Sequence, residues 1–189
     1  MSKQESIYKN IHQDIIDRCR SGEQKAQFQL YKLYYKAMYN TCLRIVNDSL
    51  EAEDIMQESF LKAFEKINFY KGEVSFGAWL KKIVINHSLD ELRKRKLETE
   101  SIQDSVYEIK DDNQSKDIEG IEMKIEEIKE EIQKLPDGYR IVLSLYLIEG
   151  YDHDEIGEIL NISSSTSRSQ FARAKRKLIE SLKTTNKVN

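Results

Sequence analysis

Residues 135–182, LPDGYRIVLSLYLIEGYDHDEIGEILNISSSTSRSQFARAKRKLIESL, decide the fold of this chain. Leu135-Pro136-Asp137 opens a helix, because proline is tolerated in a first turn where its missing N–H is not needed. Val142, Leu145 and Ile148 follow at helical spacing, and Gly150 ends the helix in a left-handed cap. Asp152 with Glu155 three residues on is a capping-box start for a short helix carrying Ile156, Ile159 and Leu160. Asn161-Ile162-Ser163 forms the turn, since Asn is second only to Gly in tolerating positive φ. Ser163 or Ser164 caps the third helix, Ser165 to Leu182. On it Phe171, Ala174 and Leu178 face the core, while Thr166, Ser169, Gln170, Arg173 and Lys177 face outward. Arg168, Lys175 and Arg176 flank that outer face, and Ser165 stands at its start. Short polar groups early and cations late suit a major groove, the first reaching base edges and the rest phosphates. A solvated amphipathic helix would need no such turn with two caps before it.

Upstream, Ser21 with Gln24 starts a long helix to about Val46, whose apolar stripe is Phe28, Tyr31, Tyr35, Met38, Cys42, Ile45 and Val46. Asp48 with Glu51 opens the next helix, to about Ile67, with Ala52, Ile55, Met56, Ser59, Phe60, Ala63, Phe64 and Ile67 inward. A second stripe on it, Asp54, Gln57, Glu58 and Leu61, sets acids around an exposed leucine. That pattern is compatible with a docking surface, but taken alone it fits a merely solvated face better. Asn68-Phe69-Tyr70-Lys71-Gly72-Glu73 is a loop with two adjacent aromatics, a cation and a glycine. Ser75 caps a helix to about Lys96, on which Trp79, Lys82, Asn86, Asp90 and Arg93 share one side. Aromatics stack on unpaired bases, cations hold phosphates, and Asn pairs with a base edge. Trp79 is large enough both to enter the core and to offer such a surface.

Size and composition narrow the classes. The 189 residues hold one proline and seven glycines, with 33% charged, which indicates an all-α protein. The net charge of −3 hides an asymmetry: residues 1–97 carry 17 Lys/Arg against 13 Asp/Glu, residues 98–135 carry 5 against 13, and residues 136–189 carry 8 against 7. The organisation is therefore a first helical domain over 1–97, a flexible acidic linker over 98–120, a helix-turn-helix domain over 121–183 and a tail over 184–189. In the second domain Ile121, Ile125, Ile128, Ile132 and Leu135 give a first helix. Met1-Ser2-Lys3-Gln4-Glu5 is not a secretion signal and no apolar run reaches membrane length, so a cytoplasmic chain without membrane insertion is expected. Cys19 and Cys42 read as small buried hydrophobes, and His12, His87 and His153 lack ligand spacing, so neither metal nor cofactor is expected. With no Gly-rich phosphate loop and no nucleophile-base arrangement, an enzyme is not indicated.

Taken in order, these segments resemble the extracytoplasmic-function group of bacterial RNA polymerase sigma factors, in the sigma-70 family. Glu51 to Phe64 is similar to the region 2 helix that docks on the β′ clamp helices of core RNA polymerase, which assigns Asp54, Gln57, Glu58 and Leu61 to that contact. Phe76 to Arg95 is similar to the part of region 2 that melts and reads the −10 element. The implied single-strand contacts are Asn68, Phe69, Tyr70, Lys71, Trp79, Lys82, Asn86 and Arg93. From Leu135 onward the chain resembles region 4, whose last helix reads the −35 element. Its implied contacts are Ser165, Thr166, Arg168, Ser169, Gln170, Arg173, Arg176 and Lys177. The departures are Gly157, where a small Ala is usual, and Ser167, Gln170 and Ala172, where an apolar, a basic and a larger residue are more usual. Implied partners are core polymerase (β′ clamp helices and β flap), promoter DNA and an anti-sigma factor, with the chain itself a monomer. Extended at about 3.3 Å per residue, the linker reaches across two turns of duplex, about 68 Å. The rival readings are a stand-alone helix-turn-helix regulator, which leaves the Asp54–Leu61 face unexplained, and a protein-sequestering module, against which the Arg168–Lys177 helix argues.

Overall fold

A computed structural model describes residues 11–100 and 125–185, and among them there is no strand. The chain divides into two compact units, residues 1–92 and 93–189, the division falling within one long helix.

In the first unit α1 (Gln13–Arg20), α2 (Gln24–Val46), α3 (Ser49–Glu65) and α4 (Phe76–Glu100) are joined by tight connections, the last including a 3-10 turn at Ile67–Phe69. Asn47 takes the left-handed conformation that ends α2 (φ 58°, ψ 29°), and the Asp48 carboxylate then accepts from the N–H groups of Leu50 and Glu51 to start α3. Leu30, Met38, Cys42, Ile45, Ala52, Ile55, Phe60, Phe76, Leu80, Val84 and Ile85 make the buried core. Each large aliphatic among them contributes about 1.5–3 kcal/mol on leaving water.

Three features depart from the sequence reading. A helix, α1, precedes α2 and buries Ile16 and Cys19 one turn apart. Ser21 therefore does not cap α2; it ends α1, where its hydroxyl donates to the Arg18 carbonyl. Phe28 is not core but 58% exposed, because it walls an open groove between α2 and α3 rather than facing a covering helix. Finally α4 runs to Glu100, past Lys96, since Lys96-Leu97-Glu98-Thr99-Glu100 contains no residue that stops a helix. Residues 101–124, on which the expected acidic linker and the expected helix start near Ile121 fall, lie outside the described residues.

The second unit contains α5 (Ile125–Gln133), α6 (Asp137–Leu147), α7 (His153–Leu160) and α8 (Ser164–Thr185). Ile132, Leu135, Leu143, Ala174, Leu178 and Leu182 form its core, with Ile128 and Tyr139 packed against it. Arg140 is buried at the start of α6, where its guanidinium donates to the Leu135 carbonyl at 3.0 Å and to Asp137 at 2.7 Å. Burial opposes ionisation of Asp137, but the Arg140 hydrogen bond and charge prevail and hold its carboxyl below its ordinary value. The Asp152–Glu155 capping box is formed in both directions, and Gly150 adopts a positive φ of 82°. Asn161 sits at φ 56°, ψ 48° in the turn between α7 and α8. Ser163 rather than Ser164 caps α8, accepting from the Thr166 N–H at 3.0 Å.

Candidate functional site

Three surfaces carry the residues that the sequence singles out. On α3, Asp54, Gln57, Glu58 and Leu61 are all exposed, Leu61 by 63%. The Asp48 cap starts the helix, and its apolar spacing turns Ile55, Met56, Ser59 and Phe60 inward and these four outward. Gln57 and Leu61 also border a groove of about 400 Å³ lined by Phe28, Tyr31, Phe60 and Phe64. The acidic stripe thus adjoins an open apolar furrow. Sequence reasoning missed the furrow because Phe28 shares the spacing of the α2 core stripe, and spacing alone cannot tell a covered position from an uncovered one.

Behind this surface lies buried His87 of α4. Its Nδ1 is 3.0 Å from the Ser59 hydroxyl, and its Nε2 is 2.7 Å from the Lys62 ammonium. Nε2 thus faces a donor, the Lys62 ammonium, while Nδ1 faces a hydroxyl that can donate or accept. The Glu58 carboxylate is 3.3 Å from the same Nε2. One histidine therefore joins the exposed face of α3 to α4, next to Asn86.

The second surface is the loop before α4 together with the outer side of that helix. Asn68, Phe69 and Lys71 are exposed, Phe69 by 77%. Tyr70 is a correction. It is buried, its hydroxyl donates to the Val74 carbonyl at 2.6 Å, and its ring packs on Phe76 and Trp79 at centroid separations of 5.5 and 5.3 Å. It closes the loop from within, because the turn at Gly72 (φ 76°) folds the chain back over the ring, and it offers no face to a base. Arg20 of α1 holds the loop from the other side, donating to the Tyr70 carbonyl at 2.5 Å with its guanidinium 6.0 Å from the ring centroid. Ser75 caps α4 through the Ala78 N–H at 3.2 Å. Along α4, Trp79 is half-buried, while Lys82, Asn86 and Arg93 are exposed. Trp79 thus has one side in the aromatic cluster and another toward solvent.

The third surface is α8. Ser165, Thr166, Arg168, Ser169, Arg173 and Lys177 are exposed; Gln170 and Arg176 are half-buried. Ser167 and Gly157 have physical reasons in this backbone. Ser167 is fully buried and its hydroxyl meets His153 Nδ1 at 2.9 Å. A Cβ on Gly157 would lie 2.8 Å from the Ile162 carbonyl oxygen, so the turn between α7 and α8 is closed too tightly for alanine.

Among the described residues no cluster of three His, Cys, Asp or Glu side chains could hold a metal ion, and no helix is long and apolar enough to cross a membrane. Cys19 and Cys42 are buried free thiols, and burial pushes each up to about 11.

An all-helical chain with a docking stripe, an aromatic loop and a capped helix-turn-helix has the parts of a promoter-recognition subunit. Residues 30–98 match the Sigma-70 region 2 family and residues 125–178 match the Sigma-70, region 4 family. The chain is 31% identical over 178 residues to the ECF RNA polymerase sigma factor SigW of Bacillus subtilis, covering 89% of this chain and 95% of that protein. It is 28% identical over 179 residues to the RNA polymerase sigma-H factor of Pseudomonas aeruginosa, covering 90% and 93%. In fold it is similar to the sigma factor RpoE of Bartonella quintana solved with the anti-sigma factor NepR, with a TM-score of 0.58 at 22% identity over 82% of this chain and 95% of that one. CnrH, solved with the cytosolic domain of CnrY, gives 0.55 at 21% identity over 92% and 97%. The chain belongs to the extracytoplasmic-function group of sigma-70 family RNA polymerase sigma factors. The stand-alone regulator reading falls with that finding, because it has no use for a complete region 2.

Proposed function

We propose that this sigma factor docks on core RNA polymerase through Asp54, Gln57, Glu58 and Leu61, with the neighbouring groove admitting an apolar side chain of the β′ clamp helices. The observation that carries the reading is the exposed leucine among acids beside that furrow. Such a pairing of an apolar anchor with a polar rim is the usual anatomy of a protein-binding hot spot. Asn68, Phe69 and Lys71, with Trp79, Lys82, Asn86 and Arg93, engage the melted −10 strand. Flipping a base from the stack costs a few kcal/mol, and stacking on an aromatic returns about 1–3 kcal/mol per base. Ser165, Thr166, Arg168, Ser169 and Gln170 reach −35 base edges, and Arg173, Arg176 and Lys177 hold flanking phosphates. The polymerase performs the chemistry; this chain supplies the promoter address and acts as a monomer in the cytoplasm, anchored near the β flap through its second unit. Its solved relatives in complex with NepR and CnrY support an anti-sigma factor as a further partner.

Size exclusion with bacterial core RNA polymerase tests the docking. The wild-type chain should co-migrate with the core enzyme, and Asp54→Ala with Leu61→Ala should abolish co-migration while the melting temperature stays the same. Undiminished co-migration of the double variant would refute the assignment.

A further inference from the structure

Ser167 breaks the apolar pattern of α8 at a fully buried position, and its surroundings supply a reason. A serine inside a helix ordinarily turns its hydroxyl back to the carbonyl four residues earlier. Here the hydroxyl meets Nδ1 of His153 at 2.9 Å, across to the first residue of α7. The imidazole is fixed on two other sides. It stacks on Tyr146 at 4.6 Å between centroids and 18° between planes, and it meets Phe171 edge-on at 5.6 Å and 64°. A serine hydroxyl both donates and accepts, so it serves either tautomer of the ring. The start of α7 is thereby tied by a directional bond to the residue flanked by Thr166 and Arg168.

We propose that the His153–Ser167 pair is a positioning device that sets the rotation of α8 and so determines which base pairs Thr166, Arg168 and Ser169 discriminate. The inference rests on the reading of α8 as the −35 helix. An apolar residue at 167 would hold α8 by packing, which is non-directional and allows small rotations. A hydrogen bond tolerates only a few tenths of an ångström in length. Rotating a helix by about 20° swings side chains at its outer radius of roughly 5–6 Å through about 2 Å, enough to exchange one base edge for another. His153 touches no base in this scheme; it acts through Ser167.

The test uses holoenzyme assembled from the full chain and bacterial core RNA polymerase, presented with a pool of duplexes randomised upstream of a fixed −10 segment. Sequencing the bound fraction reads base preference directly. Wild-type holoenzyme should select particular upstream bases. His153→Leu, which keeps bulk but loses the ring nitrogen, and Ser167→Ala should each flatten that preference about fivefold or more, the discrimination that one well-placed base-edge contact carries. His153→Asn, which restores a polar atom near the Nδ1 position, should recover part of it. The double variant His153→Leu with Ser167→Val substitutes a matched apolar contact and should keep the wild-type melting temperature while remaining unselective. A folded double variant as selective as wild type would overturn the positioning role. A wild-type holoenzyme with no upstream preference at all would overturn the −35 reading beneath it.

Discussion

Gly157→Ala is the substitution for which the usual expectation and this structure disagree most sharply. Replacing a helical glycine by alanine normally stabilises by about 1 kcal/mol, because the backbone has less freedom to lose. Here the new methyl would lie 2.8 Å from the Ile162 carbonyl oxygen, about 0.6 Å inside the distance at which ordinary contact begins. The opposing atom is backbone and cannot swing away. The Ile162 N–H already donates to the Gly157 carbonyl at 3.0 Å, and the next residue, Ser163, caps α8. Moving Ile162 therefore disturbs the start of the DNA-reading helix. Overpacking of this kind costs about 1–3 kcal/mol. Set against the propensity gain, the middle of that range leaves a net loss of about 1 kcal/mol, or roughly 4–8 °C in the melting temperature of a unit this small. The chain has a single tryptophan, Trp79, in the first unit, so its fluorescence reports that unit while far-ultraviolet circular dichroism reports both. The variant should lower a dichroism transition and leave the fluorescence transition in place. Unchanged or raised stability in both signals would refute the argument that the turn excludes a Cβ.

Arg20→Gln should release the loop that Tyr70 closes, removing a charge-assisted hydrogen bond of about 1.5–3 kcal/mol. Promoter opening, followed by permanganate reactivity of unpaired thymines, should fall while co-migration with core polymerase is retained; normal opening would count against an anchoring role. Arg173→Ala should weaken binding of −35 duplexes and lower the slope of log affinity against log salt by about 1. An unaltered slope would place Arg173 away from phosphate. Because burial pushes the Cys19 and Cys42 thiols up to about 11, little thiolate exists at pH 8, and iodoacetamide should modify neither thiol until denaturant is added. Rapid labelling of the folded chain would show that one of them is open to solvent.

The second unit was largely legible in the sequence, and for a specific reason. Its boundaries are written in local chemistry: Asp152 with Glu155, Asn161, and Ser163 each satisfy backbone groups within three or four residues, so no tertiary information is needed to read them. The outward stripe of α3 was legible because its residues fall at i, i+3, i+4 and i+7, opposite the apolar spacing of the same helix. The failures fall where one sequence pattern serves two environments. Phe28 has the spacing of a core residue and borders an open furrow. Tyr70 has the loop setting and exposed aromatic neighbour of a stacking residue, yet its ring is enclosed by Phe76 and Trp79. Ser21 satisfies the rule for a helix start but terminates a helix whose two buried residues, Ile16 and Cys19, leave too short a pattern to register.

What stayed illegible shares a physical character. His87 bonded to Ser59, His153 bonded to Ser167, and Arg20 bonded to the Tyr70 carbonyl are all single directional bonds between residues far apart in sequence, separated by 28, 14 and 50 positions. Periodicity cannot show such pairs: Ser59 and Ser167 are polar residues inside apolar stripes, His87 and His153 have no ligand spacing, and nothing in the sequence marks Arg20 as the partner of a backbone carbonyl. Once paired, the bond restrains both rotation and sliding, which apolar packing does only loosely. Each also adjoins residues assigned to polymerase or DNA: His87 meets Glu58 and is next to Asn86 in the chain, His153 bonds the residue between Thr166 and Arg168, and Arg20 bonds the loop that carries Phe69 and Lys71. A subunit that must present separate surfaces accurately gains from fixing each to its own neighbouring helix. The residues that break the sequence pattern are therefore the ones to mutate when promoter selectivity, rather than folding, is the question.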